Sequence, residues 1–212
     1  MSIFRLNKKL IFPPVQLAEP DGLLAVGGDL SVERLLLAYR SGIFPWYDEP
    51  PILWWSPDPR FVLFPDELKV SASMKQVLRR QQFRISYNED FAAVIQRCST
   101  IPRPGQSGTW ITPEMQEAYI RLHKAGYAMS VECWQDNQLV GGLYGVRTGP
   151  FFFGESMFAD VSNASKAAFI TFVQTYASEL KMIDCQVHTT HLASLGAAFI
   201  SREEFLEIIG FS

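Results

Sequence analysis

The sequence contains no long hydrophobic run. None of its 212 residues belongs to a stretch of about 18 apolar residues, the length a membrane helix needs. The N-terminal segment also lacks the apolar core of a secretory signal peptide. Because 48% of the residues are nonetheless hydrophobic, the chain can bury a good core. We therefore expect a soluble globular protein in the cytoplasm.

Cysteine and histidine are scarce, with three residues of each type. Cys98, Cys133 and Cys185 lie far apart and never form a C-x-x-C pair, which argues against a disulfide framework and a zinc knuckle. His188 and His191 are three residues apart, but no cysteine or carboxylate cluster nearby completes a zinc set. We expect reduced thiols and no bound metal.

Basic residues are not in excess, since the formal net charge is -3 at pH 7. This excludes a uniformly basic nucleic-acid binder but leaves room for a local basic patch. Residues 73–84 form such a patch, with four cations and no acid: Lys75, Arg79, Arg80 and Arg84. On a helix they form two adjacent stripes suited to phosphate contacts, because each pair is spaced i,i+4. A solvated amphipathic helix is the alternative that the pattern leaves open.

The chain changes character near residue 60. Residues 1–60 are rich in proline, glycine and aromatic residues and contain one clear helix, near 32–40. Apolar periodicity then predicts helices near 71–82, 88–98, 113–125 and 163–180, and strands near 128–135, 138–146 and 150–158. Hairpin-length turns join these strands into an antiparallel meander, and a strand after the last long helix can pair with it. The prediction is an α+β protein with a small N-terminal domain, 1–60, and a larger domain, 61–212.

The strand after the long helix has a polar face. Alternation along 182–188 turns three polar side chains the same way: Asp184, Gln186 and His188. Side chains two residues apart lie roughly 6 to 7 Å apart on a strand, so the Asp184 carboxylate and the Gln186 amide can act on one small volume. That volume is a candidate active site. The alternative is a solvent-facing Gln186 and an ion-paired Asp184, while Cys185 faces the core in either case.

Glu155 is the one carboxylate in the aromatic strand near 150–158. Burial raises a carboxyl pKa, so this side chain needs hydrogen-bond donors or an open cleft. Gly154 before it indicates a bulge or a close backbone approach. A catalytic role and a structural one, with the carboxylate bonded to backbone amides, remain equally open.

Tryptophan and tyrosine cluster in the loop-rich N-terminal region, at positions 46, 47, 54 and 55. These side chains fit either a small aromatic core or a platform on which a nucleobase stacks, since every base has a π-face.

Several long segments resemble a single family. They are LAEPDGLLAVGGDLS at 17–31, GIFPWY at 42–47, PILWWSPDPR at 51–60, GTWI at 108–111, LVGGLYG at 139–145, GESMF at 154–158, NASK at 163–166 and IDCQ at 183–186. The family is that of the bacterial leucyl/phenylalanyl-tRNA-protein transferases, and the resemblance runs over nearly the whole chain.

The resemblance implies a two-domain enzyme whose C-terminal domain has a GNAT-type acyltransferase fold, with a mostly antiparallel sheet flanked by helices. It implies transfer of Leu or Phe from Leu-tRNA or Phe-tRNA to the N-terminal Arg or Lys of an acceptor protein, which marks that protein for degradation as an N-degron. An aminoacyl ester is already activated, so no cofactor, metal or membrane is expected.

The resemblance also implies roles for individual residues. Asp184, Gln186 and Glu155 would be catalytic, and Trp46 and Trp110 would sandwich the 3′-terminal adenosine. The pocket for the Leu or Phe side chain would be formed by Leu143, Phe152, Met157, Phe169, Phe172 and Tyr176. The tRNA backbone would meet the basic segment with Lys75, Arg79, Arg80 and Arg84.

Two other functions compete with this one. An acyl-CoA-dependent N-acyltransferase would need a glycine-rich pyrophosphate loop after the meander, and residues 160–168 contain no glycine. A non-catalytic RNA-binding module would account for the tryptophans and the basic segment. It would not account for the polar strand face.

Overall fold

A computed structural model describes residues 3–101 and 109–210, which are organised around two β-sheets. The smaller sheet has the strand order β1-β2-β4-β3. Its strands are β1 (Phe4–Leu6), β2 (Leu23–Gly27), β3 (Phe44–Pro45) and β4 (Leu53–Trp55). β1 runs parallel to β2, and the other neighbours are antiparallel.

One α-helix, α1 (Val32–Arg40), accompanies the smaller sheet, as predicted. The Ser31 hydroxyl accepts a hydrogen bond from the backbone N–H of Arg34 and so caps the first turn. Gly42 follows the helix with a φ of 73°, in the left-handed region that glycine enters without strain. Tyr39 is fully buried on the inward side of the helix, which matters for the site described below.

The larger sheet has seven strands in the order β11-β5-β10-β9-β8-β7-β6. They are β5 (Arg60–Leu63), β6 (Arg84–Tyr87), β7 (Ala128–Gln135), β8 (Gln138–Thr148), β9 (Phe151–Ala159), β10 (Met182–Gln186) and β11 (Ala198–Ile200). All neighbours are antiparallel except β9 and β10, which are parallel. The predicted meander is confirmed, and β10 joins it after a helical crossover, the connection that a parallel pair requires.

Helices cover both faces of the larger sheet. They are α2 (Ala72–Arg79), α3 (Phe91–Thr100), α4 (Pro113–Lys124), α5 (Ala164–Thr175), α6 (Thr190–Ser194) and α7 (Arg202–Ile209). Apolar residues of α1, α3, α4, α7 and the smaller sheet form one core layer, and those of α2, α5 and α6 form the other. The prediction of an α+β fold with a mostly antiparallel sheet flanked by helices is confirmed. None of the helices in the described part of the chain combines the length and the apolarity of a membrane span.

Three elements end earlier than the periodicity predicts. α2 ends at Arg79 because Gln81, with a φ of 49°, turns the backbone into the left-handed region. α5 ends at Thr175, and tight turns formed by Glu179 and Leu180, whose N–H groups both donate to the Tyr176 carbonyl, replace its predicted last turn. β10 ends at Gln186, where φ is 63°.

Candidate active site

A cavity of about 520 Å³ opens where β9 and β10 separate. The two strands pair only as far as Phe153 and Asp184, so the wall beyond this point is open. The smaller sheet closes one side with Phe44, Pro45 and Trp46. A cavity of this size, with mostly apolar walls and a few polar groups, is typical of a small-molecule site.

A β-bulge turns Glu155 toward the cavity. Tyr144 pairs with Ser156 and Gly145 pairs with Gly154, so Glu155 is the extra residue between two regular pairs. Bulges re-aim side chains and are frequent next to active sites. The bulge that Gly154 indicated in the sequence is confirmed.

A second irregularity lies directly across, on β10. Pairing with β5 passes from Asp184 to Gln186 and skips Cys185. Together with the left-handed backbone of Gln186, this shift leaves both polar side chains on the cavity wall. The prediction that Asp184 and Gln186 act on one volume agrees with this arrangement, although simple strand alternation does not produce it.

Three donors surround the Glu155 carboxylate. Oε1 accepts hydrogen bonds from the Tyr39 hydroxyl at 2.7 Å and from Gln186 Nε2 at 3.1 Å, and Oε2 accepts one from the Tyr119 hydroxyl at 2.9 Å. The two tyrosine hydroxyls also lie within hydrogen-bond distance of each other, and because each has a single proton, the tyrosines donate at most two of these three contacts at one time. Burial raises the pKa of both phenols well above the ordinary value, and the nearby Glu155 adds to this effect, so both remain donors.

The pKa of Glu155 is raised to about 7. Burial is the main cause, the hydrogen bonds from Tyr39, Tyr119 and Gln186 oppose it, and the charge of Asp184 adds a smaller increase. A carboxyl group balanced near neutral pH is suited to accept and release a proton during a reaction.

The Asp184 carboxylate is held by a bidentate ion pair. Arg60 Nε donates to Oδ1 at 2.9 Å and Arg60 Nη2 donates to Oδ2 at 2.6 Å, and each side chain is 1% exposed. The backbone N–H of Gln186 also donates to Asp184 Oδ1, at 2.8 Å. Asp184 is therefore ion-paired, as the alternative interpretation predicts, whereas Gln186 is buried and does not face solvent. Asp184 bonds the backbone of Gln186, and Glu155 bonds its amide.

The aromatic cluster of the N-terminal region is divided between core and cavity. Trp54 is fully buried, and its indole N–H donates to the Gly27 carbonyl at 2.8 Å. Trp46 is 38% exposed and lines the cavity, as does the half-buried Trp110. Trp54 is therefore a core residue, whereas Trp46 and Trp110 face the cavity, where the base-stacking platform stays a prediction.

Four of the six residues expected in the side-chain pocket line the cavity: Leu143, Phe152, Met157 and Phe169. The other two lie outside this lining. Phe172 packs behind Phe152, with ring centroids 4.6 Å apart, and Tyr176 packs on Phe172 at 5.3 Å. The reason is the rise of the helix, about 1.5 Å per residue, which carries later side chains of α5 past the cavity.

The basic segment does not form two stripes. Lys75 and Arg79 are exposed on α2, and Arg80 is the residue that caps its end. Arg84 lies on β6, where its guanidinium bonds both carboxylate oxygens of Glu89, at 2.7 and 3.1 Å. The first three cations form no ion pair within residues 3–101 and 109–210.

Cys185 and His188 are outside the hydrogen-bond network of Glu155, although Cys185 is among the residues that line the cavity. Cys185 packs in the α5 core layer, and burial raises the pKa of its thiol, so it is a core residue as expected. The expectation that His188 shares the face of Asp184 is wrong, since its ring packs against Phe61 and Phe199 after β10 has ended. Within the described ranges, no group of three or more His, Cys, Asp or Glu side chains could hold a metal ion.

Sequence reasoning missed Tyr39, Tyr119 and Arg60. Both tyrosines fall on the apolar stripes of their helices, a pattern that predicts core residues and gives no sign of a site. A buried tyrosine hydroxyl usually needs a hydrogen-bond partner, and this was the available signal. Arg60 is the last residue of the PILWWSPDPR segment, and no periodicity or motif around it indicates a role in the site.

Known proteins match this chain over nearly its whole length. Residues 62–210 match the family described as leucyl/phenylalanyl-tRNA protein transferase, and residues 28–58 match the N-terminal domain of that family. A leucyl/phenylalanyl-tRNA--protein transferase of Syntrophus aciditrophicus is 61% identical over 99% of this chain and 88% of its own. One of Flavobacterium johnsoniae is 56% identical over 98% of this chain and 99% of its own. Among solved structures, a conserved protein of unknown function from Bacteroides thetaiotaomicron has a TM-score of 0.47 at 12% identity, over 73% of this chain and 57% of its own.

The cavity, its carboxylate and amide, and these matches define an aminoacyltransferase. The chain belongs to the leucyl/phenylalanyl-tRNA protein transferase family.

Proposed function

We propose that this protein transfers Leu or Phe from aminoacyl-tRNA to the N-terminal Arg or Lys of acceptor proteins. The product is a new peptide bond, and the acceptor becomes a substrate for N-degron-dependent degradation in the cytoplasm, where charged tRNA is found. The observation that carries the proposal is the joint placement of Glu155 and Gln186 on the wall of an apolar cavity of about 520 Å³.

Gln186 orients the attacking amine. Its amide N–H donates to Glu155, so its carbonyl oxygen is turned away from the carboxylate and can accept a hydrogen bond from the amine. An α-amino group has a pKa of about 7.7 to 8, so a useful fraction is neutral near pH 7. Holding that amine against the ester carbonyl supplies much of the acceleration.

Glu155 moves the proton. As the amine nitrogen forms its bond to the ester carbonyl carbon, one nitrogen-bound proton passes to the Glu155 carboxylate. The bond between that carbon and the ribose oxygen then breaks, and the same proton passes to the departing oxygen. A pKa of about 7 suits both halves of this exchange. Asp184 acts on the reaction through the backbone of Gln186.

The aminoacyl ester enters with its adenosine between Trp46 and Trp110 and its side chain in the apolar part of the cavity. Leu143, Phe152, Met157 and Phe169 supply the apolar surface. One methylene in such a pocket is worth about 1 to 3 kcal/mol, which favours Leu and Phe over smaller side chains.

Trp46→Ala is expected to weaken the binding of Leu-tRNA. Base stacking on an aromatic side chain is worth about 1 to 3 kcal/mol, which corresponds to roughly a 5- to 150-fold rise in the dissociation constant. Filter binding measures it. Phe199→Ala is the control, because Phe199 is an exposed aromatic side chain on the edge strand β11 and does not line the cavity. Equal losses in both variants would contradict the adenosine platform.

Lys75 and Arg79 on α2, and Arg80 at its end, are expected to bind tRNA phosphates. Changing Lys75 and Arg79 to Ala together should flatten the dependence of log affinity on log salt concentration by about 0.7 to 0.9 per lost contact. Arg84→Ala should change this slope less, because Arg84 already pairs with Glu89. If Arg84→Ala changed the salt dependence of binding and the α2 variant did not, the tRNA would not bind at α2.

We also propose that residues 61–212 are a GNAT-type acyltransferase domain and that residues 1–60 are a separate small domain. Two observations support this: the antiparallel meander followed by a parallel strand after α5, and the change of sheet between Trp55 and Arg60.

Incubating the protein with labelled Leu-tRNA and a peptide that begins with Arg tests the activity. Label should pass to this peptide and not to the same peptide with an acetylated N-terminus, which has no free amine. Gln186→Ala should lower the rate. If labelled acyl-CoA were used in place of Leu-tRNA, the enzyme would be an ordinary N-acyltransferase, and no transfer from either donor would refute the proposed function.

A further inference from the structure

Arg60 is the most heavily engaged side chain near the cavity. Two of its nitrogens bind Asp184, and Nη1 donates to the Gly42 carbonyl at 3.2 Å. The guanidinium also lies between two aromatic rings, 4.7 Å from the centroid of Phe44 and 4.6 Å from that of Phe205. Neither a translation nor a rotation of this group is possible without breaking one of these contacts.

One side of Arg60 leads to the catalytic amide. Arg60 fixes the Asp184 carboxylate, and Oδ1 of that carboxylate accepts the backbone N–H of Gln186. This bond holds the left-handed backbone from which the Gln186 amide reaches Glu155. The guanidinium therefore sets the place of the group that orients the amine.

The other side of Arg60 leads to the adenosine platform. Gly42 and Phe44 lie just before Trp46, and the backbone of Trp46 is tied to β4 through the N–H of Trp46 and the carbonyl of Leu53, at 3.0 Å. Arg60 thus contacts the segment that carries Trp46 as well as the strand that carries Gln186. The proposed adenosine platform at Trp46 belongs to the smaller sheet and Gln186 to the larger one, and Arg60 bridges the two.

The chemistry of the pair also points to positioning. A buried ion pair is often no more stable than well-packed apolar side chains of similar volume, so stability alone does not account for it. A guanidinium supplies what apolar side chains lack, a planar fork with fixed directions.

We propose that Arg60 is a positioning residue that fixes the attacking amine relative to the esterified adenosine. The inference rests on the proposed aminoacyl transfer and adds to it a residue that touches neither substrate.

Arg60→Lys tests the inference, because it keeps the charge and removes the fork. The single-turnover rate at saturating Leu-tRNA should fall by about a hundredfold, as expected for a misplacement of about 1 Å, with little change in the dissociation constant for Leu-tRNA. Arg34→Lys is the matched control. Arg34 is also fully buried and pairs with Asp29 at 3.2 Å, but its other hydrogen bonds go to the carbonyls of Asn7 and Lys9, away from Gln186 and Trp46. Thermal unfolding of both variants corrects each rate for the folded fraction.

Chemical rescue gives a second measurement. Arg60→Ala leaves a space in which a free guanidinium ion can bind. Guanidinium at concentrations below those that denature the protein should raise the rate of Arg60→Ala at least about tenfold. It should not raise the rate of Arg34→Ala. If Arg60→Lys loses no more rate than Arg34→Lys, or if its loss appears only in Leu-tRNA binding, the inference is refuted. A wild-type protein that transfers nothing from Leu-tRNA would instead refute the proposed function itself.

Discussion

Glu155→Gln is expected to lower the rate of aminoacyl transfer by about 10²- to 10⁴-fold, the usual contribution of a general base or acid. Glutamine keeps the size of the side chain. Its one oxygen, placed at Oε1, can still accept from Tyr39 and Gln186, and its amide nitrogen, placed at Oε2, can donate to the Tyr119 hydroxyl. It cannot take up a proton near neutral pH. Single-turnover transfer from labelled Leu-tRNA to a peptide beginning with Arg measures the loss.

The pH profile separates this role from a structural one. In the wild type the rate should rise as pH increases through about 7, since Glu155 must lose its proton to act as the base. The α-amino group of the acceptor adds its own rise near its pKa of about 7.7 to 8. In Glu155→Gln only the rise that belongs to the amine should remain. An unchanged profile in the variant would show that Glu155 does not carry the proton.

The same substitution should stabilise the fold above neutral pH. The pKa of Glu155 is about 7 in the folded protein, against an ordinary value of 4.5, so the folded state holds this proton more tightly than the unfolded chain does. Stability is therefore lost as pH rises from about 4.5 to 7, and the loss persists above that range, at about 3 kcal/mol for the full shift.

Urea unfolding at about pH 5 and pH 8 checks this sign. Relative to the wild type, Glu155→Gln should gain stability at the higher pH and change much less at the lower. A variant that is less stable at both values and transfers normally would make Glu155 a structural acid.

Local patterns predicted the meander, the helices and the strand that carries Asp184 and Gln186. Apolar side chains repeat with a period of 2 along a strand and 3.6 along a helix, and both periods can be detected within a short stretch of sequence. They could not predict where those periods break. The left-handed backbone of Gln186 ends β10, which turns His188 away from Asp184. Period-2 alternation assumes a regular strand, so it cannot predict a residue with a left-handed backbone.

The contacts of the site come from distant parts of the chain. Tyr39 and Glu155 are 116 residues apart, and Arg60 and Asp184 are 124 residues apart. No window of sequence contains either pair, so each residue could be assigned only to the stripe or strand on which it lies. The family resemblance indicated Glu155, Asp184 and Gln186 by motif, but it did not indicate the donors that set their chemistry.

Helix periodicity gives the direction of a side chain and not its height along the axis. Phe169, Phe172 and Tyr176 share one apolar stripe, and the family resemblance implied a single pocket for all three. The cavity lies beside the first part of α5, where Phe169 reaches it. The later two side chains pack on Phe152 and Tyr87.

Asp184→Ala is expected to destabilise the protein as well as inactivate it. The Arg60 side chain is 1% exposed and lies against the rings of Phe44 and Phe205. The substitution leaves its buried positive charge without a carboxylate partner. Breaking a buried ion pair by removing one partner costs about 3 to 5 kcal/mol. Since a domain is stable by only about 5 to 15 kcal/mol, urea unfolding should show a large shift of the midpoint.

Two further variants separate the structural part of this loss from the catalytic part. Gln186→Ala removes no charge, so its stability should stay close to that of the wild type, unlike that of Asp184→Ala. Its transfer activity should nevertheless be lost. The double variant Arg60→Met with Asp184→Leu replaces the ion pair by apolar side chains, which should restore stability without restoring transfer. A double variant that is both stable and active would show that the ion pair only fills space. It would contradict the proposal that the pair holds the left-handed backbone of Gln186 in place for the reaction.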